Sequence, residues 1–275
     1  MKNILLLGNK GMLGRYFQKY MQTKSEFNVL SLSRDELDAE TATVDNIRRI
    51  INENNIEVII NCVGMIKPQI AKYSMSSAIK VNSLFPYLLS EAVEGSDTKV
   101  VHITTDCVYS GDLAQTLSYN EDSIHDVEDD YGLTKFLGEP DNVMVLRTSI
   151  IGEEVGQQRS LIEWLKSNKG GEVNGFLDHH WNGVTCLQLA KIVCNLIDKN
   201  DMWIGKRHVH SNTVNKFELL NIINDAFSLD LKVNKVDSGN YCNRSLSTKY
   251  SNINNLNLVD QLQELAEFNE YLYKE

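Results

Sequence analysis

Five short apolar runs dominate the first 150 residues, at 3–8 (NILLLG), 27–32, 58–62, 100–104 and 143–147. Between them lie stretches with helical spacing over 12–23, 43–54 and 72–94, and one that starts near Tyr131 after a polar, acidic loop at 110–129. An apolar run of this length, with no polar alternation, reads as a strand covered on both faces, and parallel sheets covered by crossover helices contain such strands. The rhythm therefore predicts an α/β chain with a doubly wound parallel sheet. Right-handed crossovers put every strand C-terminus on one edge. That edge would carry Gly8, Asn61–Gly64, Thr104–Asp106 and Thr148–Ile151, four polar or glycine-containing clusters in one crevice.

Residues 151–275 are less regular, with helices expected at about 159–168, 185–198, 216–227 and 258–273. Residues 1–150 read as a Rossmann domain, and 151–275 mainly as a smaller, discontinuous α/β lobe for substrate. A segment near 185–212, with a strand at 206–210, is expected to return to the main sheet. Only three prolines occur among 275 residues, and 42% of residues are hydrophobic, which suits a packed chain rather than a linker-joined one. A net charge of −10 disfavours nucleic acid. No run is long and apolar enough for a membrane helix, and Ile4–Leu7 is too short for a signal-peptide core, so a cytoplasmic chain is expected. The five cysteines are scattered without a C-x-x-C and are expected as free thiols.

The turn after the first strand reads Gly8-Asn9-Lys10-Gly11-Met12-Leu13-Gly14. Glycines there allow a tight turn and a close approach to a pyrophosphate, and the following helix offers free N–H groups. The expected ligand is a nicotinamide dinucleotide held by Gly8, Lys10, Gly11, Met12, Leu13 and Gly14, with Cys62, Val63, Gly64, Thr104 and Thr148 from the other strand ends. Ser33, Arg34 and Asp38 are expected at the adenosine ribose. No acidic residue ends the second strand, and Arg34 could pair with a 2′-phosphate, so NADP(H) is expected, with NAD(H) as the alternative.

Tyr131 and Lys135 stand four residues apart, on one face of a helix. A nearby ammonium would favour the phenolate, making the tyrosine a usable acid–base group. Both residues would also touch the cofactor. Thr105 offers a hydroxyl to the same carbonyl oxygen, completing a Thr105–Tyr131–Lys135 catalytic set.

These segments together resemble the extended short-chain dehydrogenase/reductases, and within them the dTDP-4-dehydrorhamnose reductase group of sugar-nucleotide reductases. The similarity rests on Gly8–Gly14, on 104–111 (TTDCVYSG), on 131–139 (YGLTKFLGE), on 146–152 (LRTSIIG), on Gly183-Val184-Thr185 and on Asn82. It implies NADPH-dependent reduction of a 4-keto-6-deoxy sugar nucleotide for surface polysaccharide precursors. It further implies substrate contacts from Thr105, Asp106, Ile150, Asn182 and Arg244, in a monomer or homodimer. The chain departs from the group at Ile150, where an aromatic residue is usual, and at Met65–Gln69, which replaces an acidic stretch. Both lie on the sugar side and open the way to a UDP-N-acetyl-6-deoxyhexulose. Lys67 could meet a phosphate or sugar oxygen there.

Two other classes compete. One is an epimerase or dehydratase with bound NAD, for which the Thr105 segment offers no convincing acidic or cysteine partner. The other is a non-catalytic, NADP-binding regulatory subunit, against which the Thr-Tyr-Lys set argues. His179-His180 lacks partners at metal-ligand spacing, so no metal is expected. Trp181-Asn182-Gly183 is expected to border the substrate pocket, and the acidic run 122–130 to stay solvated at the cleft mouth.

Overall fold

The computed structural model describes residues 1–154 and 160–272. The first half runs β1 (Lys2–Leu7), α1 (Met12–Gln22), β2 (Phe27–Ser31), α2 (Val44–Glu53), β3 (Val58–Asn61), α3 (Lys67–Lys72), α4 (Met75–Ala78), a π-helical turn (Ile79–Leu84), α5 (Phe85–Ala92), β4 (Lys99–Thr105), α6 (Asp130–Phe136) and β5 (Met144–Thr148). The second half follows as β6 (Ile150–Ile151), α7 (Leu161–Ser167), β7 (Glu172–Phe176), β8 (His179–Trp181), β9 (Val184–Thr185), α8 (Cys186–Asp198), β10 (Gly205–His208), β11 (Val214–Asn215), α9 (Lys216–Phe227), β12 (Lys232–Val236), β13 (Cys242–Asn243) and α10 (Leu258–Leu272). The expected helices at 159–168 and 258–273 correspond to α7 and α10; their outer residues 159 and 273 lie outside the described residues.

The main sheet has six parallel strands in the order β2-β1-β3-β4-β5-β10. The chain moves outward from β1 to β2 and then crosses back to β3 on the other side of β1. That reversal opens a crevice above the C-terminal ends of β1 and β3. The doubly wound parallel sheet expected from the apolar runs is thus present. β10 pairs in parallel with β5, Gly205–His208 against Met144–Arg147.

Two apolar layers hold the sheet. Tyr16 and Phe17 of α1 pack with Leu189 and Val193 of α8 on one face. Ile47 and Ile50 of α2 pack with Phe85 and Leu89 of α5 on the other. Each fully buried Leu, Ile or Phe contributes about 1.5–3 kcal/mol. The second half adds three small sheets, β11-β8-β13, β12-β7 and β6-β9.

The single helix expected at 72–94 is instead a broken series that starts at Lys67. Pro68 sits in the first turn of α3, where its missing N–H costs nothing. The chain leaves the helix at Tyr73, and Ser74 restarts it by accepting from the Ser77 N–H. Pro86 opens α5 directly after the π turn, a wide turn that carries Asn82.

Candidate active site

Gly8 ends β1 with φ +81°, and a Cβ there would lie 2.9 Å from the Cys62 carbonyl carbon. Only glycine lets β1 finish this close to the segment after β3. A Cβ on Gly14 would stand 2.2 Å from the Gly8 oxygen, so α1 can pack onto the turn only without one. Gly14 does not line the cleft; its place is beneath the turn. The α1 N-cap is Gly11, and among the described residues no side chain caps this end. A cavity of about 370 Å³ opens beside it, lined by Gly8, Lys10, Gly11, Ser33, Arg34, Asp38, Cys62, Val63 and Gly64. A second, of about 500 Å³, shares Lys10, Gly11 and Cys62–Gly64 and continues over Met12, Leu13, Thr104, Thr105, Asp106, Tyr131, Lys135 and Thr148. Among the described residues the buried Thr104 hydroxyl has no hydrogen-bond partner. An uncapped helix end and an orphaned hydroxyl in one elongated cleft fit a dinucleotide.

Arg34 departs from expectation. Its guanidinium is 64% exposed and already paired, Nε with Asp38 at 3.1 Å and Nη2 with Glu40 at 2.7 Å. Burial pushes the Asp38 carboxyl up, but the Glu40 N–H and Arg34 outweigh it and hold it below the usual carboxylate range. A 2′-phosphate would meet a cation that two carboxylates share.

α6 positions Tyr131 and Lys135. Asp129 caps it, accepting from the Tyr131 N–H at 3.1 Å and the Gly132 N–H at 3.0 Å. One turn later Lys135 is buried, and its Nζ donates to the Ile103 carbonyl at 3.1 Å. Burial pushes the Lys135 ammonium down to about 8, against the opposing pull of Glu139 and Cys62. Burial likewise drives Tyr131 up, Cys107 adds to this, and a hydrogen bond with Thr105 works against it. The expected lowering of Tyr131 by Lys135 is therefore absent: burial dominates, and the ammonium is committed to Ile103. Thr105 Oγ1 donates to Asp106 at 3.2 Å and accepts from the Cys107 N–H at 3.1 Å.

Asn82 joins the segment after β3 to α6. Its Oδ1 accepts from the Met65 N–H at 2.7 Å, and its Nδ2 donates to the Met65 carbonyl at 3.0 Å and to Thr134 Oγ1 at 3.1 Å. The segment after β3 and the helix bearing Tyr131 and Lys135 are thereby held in register.

A third cavity, of about 270 Å³, shares Asp106, Cys107, Ser149 and Ile150 with the second and is closed by His179, Trp181, Lys216 and Arg244. Trp181 donates from Nε1 to Ser149 Oγ at 2.8 Å, so an aromatic ring reaches the wall beside Ile150 from another strand. Arg244 donates to the Tyr109 carbonyl at 2.9 Å and the Ser110 carbonyl at 3.1 Å. Burial pushes Asp106 up, with Arg244 and hydrogen bonds from Thr105, Ser149 and Cys107 acting in the other direction.

Two expectations on the sugar side fail. Asn182 is buried with its amide turned to Leu246, donating to its carbonyl at 2.7 Å and accepting from its N–H at 2.8 Å; it braces the loop rather than facing the cavity. Lys67 is ion-paired to Asp129 at 2.9 Å. The acidic run is not simply solvated either, since Asp129 caps α6. Asp106 and Cys107 do line the cavity of Tyr131, so the Thr105 segment carries the acidic and thiol groups that the sequence reading discounted. Lys216 escaped notice because no local motif marks it, whereas Cys107 and Ser149 lie inside the 104–111 and 146–152 motifs but were given no role there. The Asn215…Glu218 capping pair announces the start of α9, but not the wall that Lys216 faces.

The chain is 31% identical over 163 residues to a dTDP-4-dehydrorhamnose reductase from Aggregatibacter actinomycetemcomitans, covering 57% of this chain and 54% of the relative. It is 28% identical over 144 residues to one from Mycolicibacterium smegmatis, covering 50% and 40%. The chain thus spans about half the length of the curated relatives it matches. A solved structure of dTDP-4-dehydrorhamnose reductase from Bacillus anthracis in complex with NADP superposes with a TM-score of 0.80 at 18% identity, over 100% of both chains. The RmlD substrate binding domain family model matches residues 1–274, and the chain belongs to that family.

Proposed function

We propose that this chain is a cytoplasmic oxidoreductase that uses NADPH to reduce a 4-keto-6-deoxy sugar nucleotide in the making of surface polysaccharide precursors. The observation that carries the reading is the placement of Thr105, Tyr131 and Lys135 on one cavity, continuous with the uncapped end of α1. Residues 1–150 would form mainly the cofactor lobe and 151–275 mainly the substrate lobe. Among the described residues no helix is long and apolar enough to cross a membrane.

The bound nicotinamide would supply the hydride. Gly8–Leu13 and Cys62–Gly64 would hold the dinucleotide, with Ser33, Arg34 and Asp38 at its adenosine end and Thr104 and Thr148 nearer the reacting end. Tyr131, kept protonated by burial, would give its proton to the carbonyl oxygen as the alkoxide forms. Thr105 would donate to the same oxygen and orient it. Lys135 would donate to ribose hydroxyls, with the Ile103 carbonyl fixing its direction. Asp106, Ile150 and Arg244 would surround the sugar. Screening 4-keto sugar nucleotides while following NADPH absorbance tests the reading; no NADPH consumption with any of them, from a protein that binds NADPH, would refute it.

A second reading follows from Asp106 and Cys107, which flank Thr105 on the cavity of Tyr131. Two further proton-transfer groups there suit an epimerase or dehydratase with retained NAD. Product formation without net NADPH consumption would select it.

A further inference from the structure

One cation on the third cavity has no task in this scheme. Lys216 is the first residue of α9, where a positive charge opposes the helix dipole. It does not serve the cap, because Asn215 and Glu218 already close that end reciprocally at 2.9 Å each. Its side chain lines the cavity with Asp106, Ser149, Ile150, Trp181 and Arg244. Among the described residues its Nζ makes neither a hydrogen bond nor an ion pair, and the carboxylate acting on it is Asp106. Arg244 contrasts with it. Two of its nitrogens are spent on the carbonyls of Tyr109 and Ser110, and a third lies 3.9 Å from Cys107 Sγ.

The cavity therefore has two cations, one fixed and one with three donors to give, against one buried carboxylate. Its position matters as well. It joins the Tyr131 cavity through Asp106, Cys107, Ser149 and Ile150, so a ligand reacting at Tyr131 must extend past Ile150 to reach Lys216. An ammonium on a flexible stem suits the several equivalent oxygens of a phosphoryl group.

Building on the reading that the substrate is a sugar nucleotide, we propose that Lys216 binds its diphosphate and makes this cavity selective for a phosphorylated substrate. The test is calorimetric titration of dTDP, UDP, GDP and thymidine into the full chain saturated with NADP⁺, which keeps these probes out of the cofactor cleft. Wild type should bind at least one nucleoside diphosphate, and K216M should bind it roughly tenfold or more weakly. K216R should recover most of the loss, and thymidine should bind weakly and equally to all three. NADP⁺ affinity, equal in wild type and K216M, reports that the variant is folded. Equal diphosphate affinity in wild type and K216M overturns the role of Lys216 and leaves the reductase reading intact. Absence of nucleoside diphosphate binding to wild type also overturns it. Lys216-dependent binding without turnover of any keto sugar would keep the subsite and sink the reductase reading.

Discussion

On the sheet side of the cleft the wall is largely main chain: the Gly8–Gly11 turn, the open end of α1, and the segment after β3. On the opposite side the wall is side chain: Trp181 from β8, Lys216 from α9 and Arg244 just after β13. The first wall is specified by backbone paths that only glycine permits, and it is indifferent to many side chains around it; Met12 and Leu13 contribute through their position. The second is assembled from groups far apart in sequence: Trp181 is held by a hydrogen bond to Ser149 and Arg244 by bonds to the Tyr109 and Ser110 carbonyls, while Lys216 makes none among the described residues. A main-chain wall fixes what is bound by shape and dipole, whereas a side-chain wall can change its ligand by single substitutions.

The largest expected effect breaks the first wall. Gly14→Ala puts a methyl group against the Gly8 carbonyl, and chemical denaturation should show a loss of about 3 kcal/mol, accompanied by lost cofactor binding. Tyr131→Phe should lower kcat about a hundredfold or more while cofactor titration stays unchanged. Asn82→Ala removes the tie between Met65 and Thr134 and should lower kcat/KM roughly tenfold, with weaker cofactor binding, because the Met65 N–H and carbonyl lose buried partners.

Lys135 gives a pH signature. Its folded value of about 8 lies below the ordinary 10.5, so between these values the unfolded chain binds more protons. The cost of burying the ammonium is in force below about 8 and is relieved as pH rises toward 10.5. The denaturation free energy of wild type relative to Lys135→Met should rise by about 1 kcal/mol per pH unit across that window. A flat difference would contradict it. The smallest effect sharpens the second wall: Trp181→Phe keeps an aromatic ring but loses the bond to Ser149, and should raise the substrate KM about threefold without moving the cofactor KM.

The sheet-edge wall was readable from the sequence because its parts are local. Gly8–Gly14, Thr104–Asp106 and Tyr131–Lys135 each lie within a few residues, and strand topology alone brings them together. The opposite wall was readable only in part: Trp181 and Arg244 are expected at the substrate pocket, but nothing near Lys216 announces that it faces Ile150 with them. The same reason explains the misread partners. Arg34 is bound by Asp38 and Glu40, Lys67 by Asp129, and Asn182 by Leu246, and such pairings depend on where loops fold back. The broken helix was missed because the apolar pattern continues through Tyr73 and Pro86, while the backbone turns aside to deliver Asn82.

β10 has a consequence for how such proteins can recombine. Although it follows α8, it completes the main sheet against β5, and its Lys206 lies 3.1 Å from Glu139, the buried partner of Arg147. A gene fragment ending near residue 150 would encode a sheet with a bare edge and one cation too few, and it should aggregate on expression. A working chimera between relatives must therefore transplant α8 and β10 with the sheet, exchanging the remaining segments on either side. The main sheet is thus encoded by two separate stretches of gene, and a single crossover near the middle would divide it.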